Sequence, residues 1–461
     1  MAMKKRIQRI AGILAALAML PAPVQGYAAE PLIPGDLDYT RISDDHDVDL
    51  LTAYLSGEPI GRFSEKAADL NQDGILDARD LTLLKQRQLN QKAVMMVYMS
   101  GSTLETDDEL QCASEDIQEM VQAAGNPNLT VVILTGGAEK WHNEYAKEDA
   151  NYRIVINKNG VTSSKYAETT RSMGDADTLG SFIRDTKQAY PADHYGLVMW
   201  GHGSGPLYGM CYDSLTKDTM TLPEFRAGLQ TGGLHFDWIG LDCCLMGTIE
   251  TLKAAEDHCE YLVASEIQTS KYGWKYDGFL NDWAKYPGMN PKNLTKRIAD
   301  EVVAGNADDP GSVQIACYDV ARTERLWSAY LSFLPEFMKA LENPSAESVF
   351  MDIPDFSRAG YDIIDLKTVA KQVEMLDQGA KTRWVPLETA APLIEQIENT
   401  VYYNRLANIY AFGGIAFWFP RVSYEDGYKL VRKTFEPLYI DDTYITMMEE
   451  YCDPKNFMII D

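Results

Sequence analysis

From Ala93 onward the chain alternates short, almost wholly apolar runs with amphipathic stretches, and few architectures accept that pattern. The runs are Ala93 to Met99, Leu129 to Leu134, Tyr152 to Ile156, Tyr195 to Trp200, Trp238 to Leu241 and Tyr261 to Ala264. Helical periodicity falls between them over Asp108 to Ala124, Asp177 to Ala189 and Gly247 to Ala255. A strand apolar on both faces must be buried on both, which predicts an α/β fold with a mainly parallel sheet covered by helices on either side. Ligands of such sheets gather beyond the carboxyl ends of the strands. Past about residue 320 the pattern turns helical, until Phe412 to Pro420 (Phe-Gly-Gly-Ile-Ala-Phe-Trp-Phe-Pro) gives one more strand-like stretch. The reading is a main domain over 93–345 and a C-terminal extension or subdomain over 346–461.

The amino end is of another kind. Lys4, Lys5, Arg6 and Arg9 precede the apolar run Ile10 to Leu20; Pro21 and Pro23 break it, and the small Gly26 and Ala28 follow. Residues 1–28 therefore read as a secretory signal, the run being short for a bilayer span of about 20 residues. The mature chain is expected to be secreted, with no membrane insertion. Losing four basic residues takes the formal charge from -26 to -30, which excludes nucleic acid and anionic membranes as natural partners and favours cationic ones. Seven cysteines (112, 211, 243, 244, 259, 317, 452) spread over 461 residues are no disulfide framework, and their odd number leaves at least one thiol free or paired with another chain.

Two of the apolar runs end in reactive residues. Tyr195 to Trp200 leads into Gly201-His202-Gly203-Ser204-Gly205, and Trp238 to Leu241 leads into Asp242-Cys243-Cys244-Leu245-Met246-Gly247. If the two strands are neighbours, His202 and Cys244 meet at one edge of the sheet. A thiol needs a nearby base or cation to become a thiolate, and an imidazole also supplies the proton a leaving amine requires. Glycines around His202 allow a substrate backbone to approach and free amide N–H groups for an oxyanion. On spacing alone, a buried cysteine pair beside a hydrogen-bonded histidine is an open alternative. No Gly-x-Ser-x-Gly elbow and no His-Glu-x-x-His occurs, which argues against a serine hydrolase and a zinc peptidase.

Residues 31–90 carry an internal repeat with a period of 33. The later copy, with Asp69, Asn71, Asp73, Gly74, Asp77 and Asp80, offers hard oxygens at alternate positions and a glycine at the sixth, the pattern of a calcium loop. The earlier copy, Asp36, Asp38, Thr40, Asp44 and Asp47, has Arg41 at the glycine position, which weakens the expectation of calcium there. Two such loop-helix units resemble a dockerin. That resemblance implies a small all-α calcium-binding module and a cohesin-bearing scaffold or surface protein as partner.

The stretches Trp-Gly-His-Gly-Ser-Gly and Asp-Cys-Cys-Leu-Met-Gly resemble the clostripain family of cysteine peptidases. So do Val97-Tyr98-Met99-Ser100, Pro191 to Tyr195, Ser265-Glu266 with Gly273-Trp274, and Gly413 to Pro420. The resemblance covers about residues 93 to 450. It implies a caspase-like fold and cleavage of proteins or peptides after Arg or Lys, with Cys244 as nucleophile, His202 as general acid/base and Asp242 in the pocket for the basic side chain. Backbone amides of Gly203 and Cys244 would hold the oxyanion. Cys243 stands where the family has a small residue, Gly201 where it often has Asp, and Ser100 to Thr103 lacks the usual Asn. Some relatives cut themselves between the two catalytic strands, which makes Lys217 a candidate site here. The competing class is a catalytically silent caspase-like protein docked on a scaffold.

Overall fold

The computed structural model describes residues 33–40, 43–123, 125–270, 272–308, 311–341, 362–379, 387–408, 412–419 and 427–452; the expected signal over 1–28 lies outside them. The strands are β1 (Ala93–Ser100), β2 (Leu129–Gly136), β3 (Tyr152–Asn157), β4 (Gly160–Lys165), β5 (His194–Trp200), β6 (Met210–Asp213), β7 (Asp218–Met220), β8 (Phe236–Asp242), β9 (Cys259–Ala264), β10 (Val313–Asp319), β11 (Ile363–Asp365), β12 (Val401–Ala407) and β13 (Ala416–Trp418). Nine of them form one sheet in the order β12-β10-β9-β8-β5-β1-β2-β3-β4. The five central strands, β9 to β2 in that order, run parallel, and antiparallel strands flank them on both sides.

All eight residues of β1 are buried, and alternate ones feed opposite cores. Val94, Met96 and Tyr98 join one cluster, with Phe182 and Phe225 from helices Ala176–Ala189 and Leu222–Gly232. Ala93, Met95, Val97 and Met99 join the other, with Ile117, Phe279 and Ile298 from helices Cys112–Gln122, Tyr276–Lys285 and Pro291–Gly305. All six expected strands are present. The expected helix over 108–124 starts only at Cys112 and the one over 247–255 at Ile249. In the stretch from Phe412 only Ala416–Trp418 is strand, paired with β11 outside the main sheet. β12 closes the edge of the main sheet beside β10, and Ile415, Phe417 and Phe419 enter the first core, so this C-terminal part is woven into the main domain.

Ahead of the sheet, two helices of 12 residues, Asp45–Ser56 and Ala78–Leu89, begin 33 residues apart and match the repeat. Each opens with an Asp N-cap (Asp44, Asp77) in a reciprocal capping box with an Asp at the third helical position (Asp47, Asp80). Leu37, Leu51, Ala68 and Leu84 form their small core. The module rests on the amino-end edge of the sheet. Asn290 Nδ2 donates to Asp44 (2.8 Å), Asn290 N to Asp45 (2.8 Å), Asp45 N to Gly288 O (3.1 Å) and Gln91 Nε2 to Ser43 O (2.9 Å). A cavity of about 520 Å³ lies between the two parts, lined by Val48, Leu89, Tyr286 and Met289 among others.

Candidate active site

β5 and β8 are neighbours with Trp200 opposite Asp242, and Gly201 N donates to Asp242 O at 3.2 Å. The two strand extensions therefore leave the carboxyl edge side by side, with His202 and Cys244 each two residues past that pair. The contact is close enough to demand glycine. A Cβ on Gly203 would lie 1.9 Å from Cys244 O and 2.8 Å from Cys244 N. At Gly201, with φ of +147°, a Cβ would lie 2.9 Å from Ser100 O, so the Asp that relatives often carry has no room here.

Each reactive group is held by a threonine. His202 Nε2 is 2.7 Å from Thr103 Oγ1; Cys244 Sγ is 3.1 Å from Thr269 Oγ1 and accepts from Thr269 N at 3.3 Å. Burial holds the His202 ring below the usual imidazole value, so at neutral pH it is an uncharged base. Cys244 is half-buried, whereas Cys112, Cys211, Cys243, Cys259 and Cys317 are buried. Cys243 points inward, its thiol donating to Met199 O at 3.4 Å, and burial beside Cys211 pushes it far from ionising. The geometry thus separates the neighbouring cysteines as the sequence motif does. Leu245, at φ of +65°, turns the chain immediately after Cys244. Around the Gly203–Met210 bridge the backbone bonds come from Ser204 N to Gly209 O and Cys211 N to His202 O. Among the described residues the amides of Gly203 and Cys244 are left uncommitted.

Asp242 ends β8 in a buried position, accepting from Tyr276 OH (2.9 Å) and Trp274 N (3.3 Å). Asp116 lies beside it, accepting from Trp200 Nε1 at 2.7 Å. A Cβ on Gly273 would sit 3.4 Å from Asp242 Oδ2 and 3.5 Å from Asp116 Oδ2, so both carboxyls border one small space. Burial pushes Asp242 up to about 7, and burial together with Asp242 pushes Asp116 well up. Glu119, whose carboxylate takes Tyr276 N at 2.9 Å, contacts the Lys275 ammonium. The site is acidic, with Asp242 and Asp116 buried and Lys275 the cation at its Glu119 side. Asp116, Glu119, Thr103 and Thr269 escape the sequence reading. Asp116 left a trace there, as an acid on the apolar stripe Ala113, Ile117, Met120; Thr103 stood in the stretch noted for lacking the usual Asn, with no role read for it, and Thr269 left no trace.

Lys217 is exposed in the turn joining β6 and β7, in a left-handed conformation (φ +57°), with its ammonium 3.7 Å from Glu139. The turn is tight: Lys217 N donates to Asp213 O (2.9 Å), and the buried Asp213 carboxylate takes the amides of Leu215 (2.8 Å) and Thr216 (3.0 Å).

In the later aspartate loop, Asp69 accepts from Asp73 N (3.1 Å) and Gly74 N (2.9 Å), and Asp80 from Leu70 N (3.0 Å) and Asp77 N (3.1 Å). Asn71 bonds Asp73, and Arg79 spans Asp73 (2.9 Å) and Asp77 (2.8 Å). The donors Asp69, Asn71, Asp73, Asp77 and Asp80 are the hard oxygens calcium takes, on a wrapped loop, so residue type and turn fit the ion. Among the described residues, however, the three carboxylates that close to within 4.8 Å of one another are Asp36, Asp38 and Asp47, in the earlier copy.

The sequence pattern of the clostripain family matches residues 97–424. Clostripain of Hathewaya histolytica is 26% identical over 270 residues, covering 50% of this chain and 48% of that protein, so the match spans about half of that relative. Among solved structures, a secreted C11 cysteine protease from Bacteroides thetaiotaomicron in complex with an irreversible peptide inhibitor has a TM-score of 0.57 at 17% identity, over 76% of this chain and 98% of that one. An inactive zymogen C11 protease from Parabacteroides distasonis has a TM-score of 0.56 at 15% identity, over 76% and 99%. These structures share the fold. With the family pattern matched across most of its length, the chain belongs to the clostripain family of cysteine peptidases.

Proposed function

We propose that this chain is a secreted cysteine endopeptidase that cleaves after Lys or Arg through Cys244 and His202. The observation that carries the reading is the half-buried Cys244 at the sheet edge, where Gly203 of the His202 loop packs against its backbone, while Cys112, Cys211, Cys243, Cys259 and Cys317 are buried. Cys244 Sγ attacks the carbonyl carbon and forms a C–S bond, while its proton passes to His202. The imidazolium protonates the amine as the C–N bond breaks, and the ring then takes a proton from the water that hydrolyses the thioester. The Gly203 and Cys244 amides face the developing oxyanion. Asp242, once ionised, supplies the negative charge for a substrate ammonium or guanidinium, and an apolar side chain would leave that carboxylate unpaired.

The basic, apolar, small-residue order of residues 1–28 supports export, and no helix among the described residues is long and apolar enough to cross a membrane. The repeated Asp-capped helices support calcium binding in the later loop and tethering to a cohesin-bearing scaffold or surface protein. Calorimetric titration of calcium into wild type and Asp80→Ala tests the site; equal heats would remove it. Cleavage after Lys217 is the proposed maturation step and needs the β6–β7 turn to open first, so an intact single chain in active enzyme refutes it.

The main test hydrolyses reporter peptides ending in Arg, Lys, Leu or Asp with wild type, Cys244→Ala and Cys243→Ala. Turnover after Arg or Lys, lost in Cys244→Ala alone, is expected. No turnover by wild type on any of them sinks the enzyme reading.

A further inference from the structure

The hydroxyl on His202 comes from the segment that follows β1. Thr103 lies in the short helix Ser102–Thr106 there. Its side chain is at the surface, but its support is buried. Ser102, at φ of +44°, is fixed by a 2.7 Å hydrogen bond to Ser214 Oγ. One turn on, the wholly buried Glu105 takes the amides of Ser114 (2.9 Å) and His142 (2.7 Å). Thr103 thus presents its Oγ1 to His202 from a buried, hydrogen-bonded mount.

Resting on the peptidase reading above, we propose that Thr103 is the positioning residue for His202, holding Nε2 so that Nδ1 is the nitrogen that exchanges protons with Cys244 and the leaving amine. A hydroxyl can accept the Nε2 proton in both the neutral ring and the imidazolium, so this bond persists through the cycle. Nδ1 takes the thiol proton as the C–S bond forms and gives it to the amine nitrogen as the C–N bond breaks; Thr103 keeps its own proton throughout. A neutral partner favours the imidazolium less than a carboxylate would, and burial keeps the resting ring uncharged.

The experiment compares wild type, Thr103→Val and Thr103→Ser on an Arg or Lys reporter peptide. Thr103→Val should lower kcat by about 10- to 100-fold with KM changed by less than about 3-fold, and Thr103→Ser should recover to within about 3-fold of wild type. Thr103→Val with kcat unchanged overturns the proposal, and so does Thr103→Ser falling as far as Thr103→Val. If wild type hydrolyses no peptide, the enzyme reading fails by itself. The hydroxyl is then read from the pH dependence of Cys244 alkylation by iodoacetamide. Its inflection should move to higher pH in Thr103→Val, because the hydroxyl helps hold the imidazolium that stabilises the Cys244 thiolate, and stay in Thr103→Ser; an inflection unmoved in Thr103→Val overturns the assignment.

Discussion

At the scale of single residues, the acidic pocket has a pH signature of its own. Burial holds Asp242 protonated up to about 7, and it binds a cation only as the anion. Affinity for a cationic ligand should therefore rise as pH rises through about 7. The inhibition constant of benzamidine, measured at pH 6 and pH 8 against a slow Lys or Arg reporter, is expected to fall at the higher pH. Asp242→Asn should weaken binding by about 100-fold, in line with the cost of truncating one partner of a buried charge pair, and erase the pH dependence. Binding that stays flat with pH in wild type removes Asp242 from that role. Asp242 was legible because it stands in a motif; Asp116 was only half legible, since an acid on a buried stripe announces a partner without naming it. Thr103 and Thr269 were not legible, because what matters is which loop tip meets which, 99 and 25 residues away.

At the scale of elements, catalytic geometry follows from strand register. Trp200 opposite Asp242 sets the two loops abreast, and the glycines at 201 and 203 let them close. Gly201→Asp, which restores the residue that relatives often carry, should for that reason harm this chain. Its Cβ would press on Ser100 O, at a φ that costs a non-glycine residue about 1–3 kcal/mol. A lowered Tm with loss of turnover is the expected result; a variant as stable and active as wild type would show that β5 exits differently. The apolar runs were readable as strands because burial on both faces leaves them no polar positions. β4 was not readable, having the mostly exposed sequence Gly-Val-Thr-Ser-Ser-Lys on the sheet edge. β12 lies in the region past about 320 whose pattern reads as helical, and β10 just before it drew no reading; pairing of β10 with β9, and of β12 with β10, decides both.

At the scale of the molecule, several acids are buried without a cation. Asp242 and Glu250 both rise to about 7 through burial, from ordinary values of 3.8 and 4.5. At these two groups the fold holds more protons than the unfolded chain between about 4 and 7, so the stability they contribute falls across that window as pH rises. The growing net negative charge acts in the same direction. Thermal unfolding should give a higher Tm at pH 5 than at pH 7.5, and Glu250→Gln, which cannot ionise, should narrow the difference. A Tm that rises from pH 5 to 7.5 would contradict this.

The seat of the amino-terminal helices on Gly288 and Asn290 bears on how the molecule meets large substrates. The seven residues of β5, at about 3.3 Å each, put roughly 20 Å of sheet between that seat and the thiol. Anything that grips the molecule by its exposed Ile75 and Leu83 grips the module at the amino-end edge of the sheet, and Cys244 lies beyond the carboxyl edge. Mounted in that way on a surface, it would face the medium like a lamp on a bracket, and a folded protein could be brought to the blade without colliding with the wall.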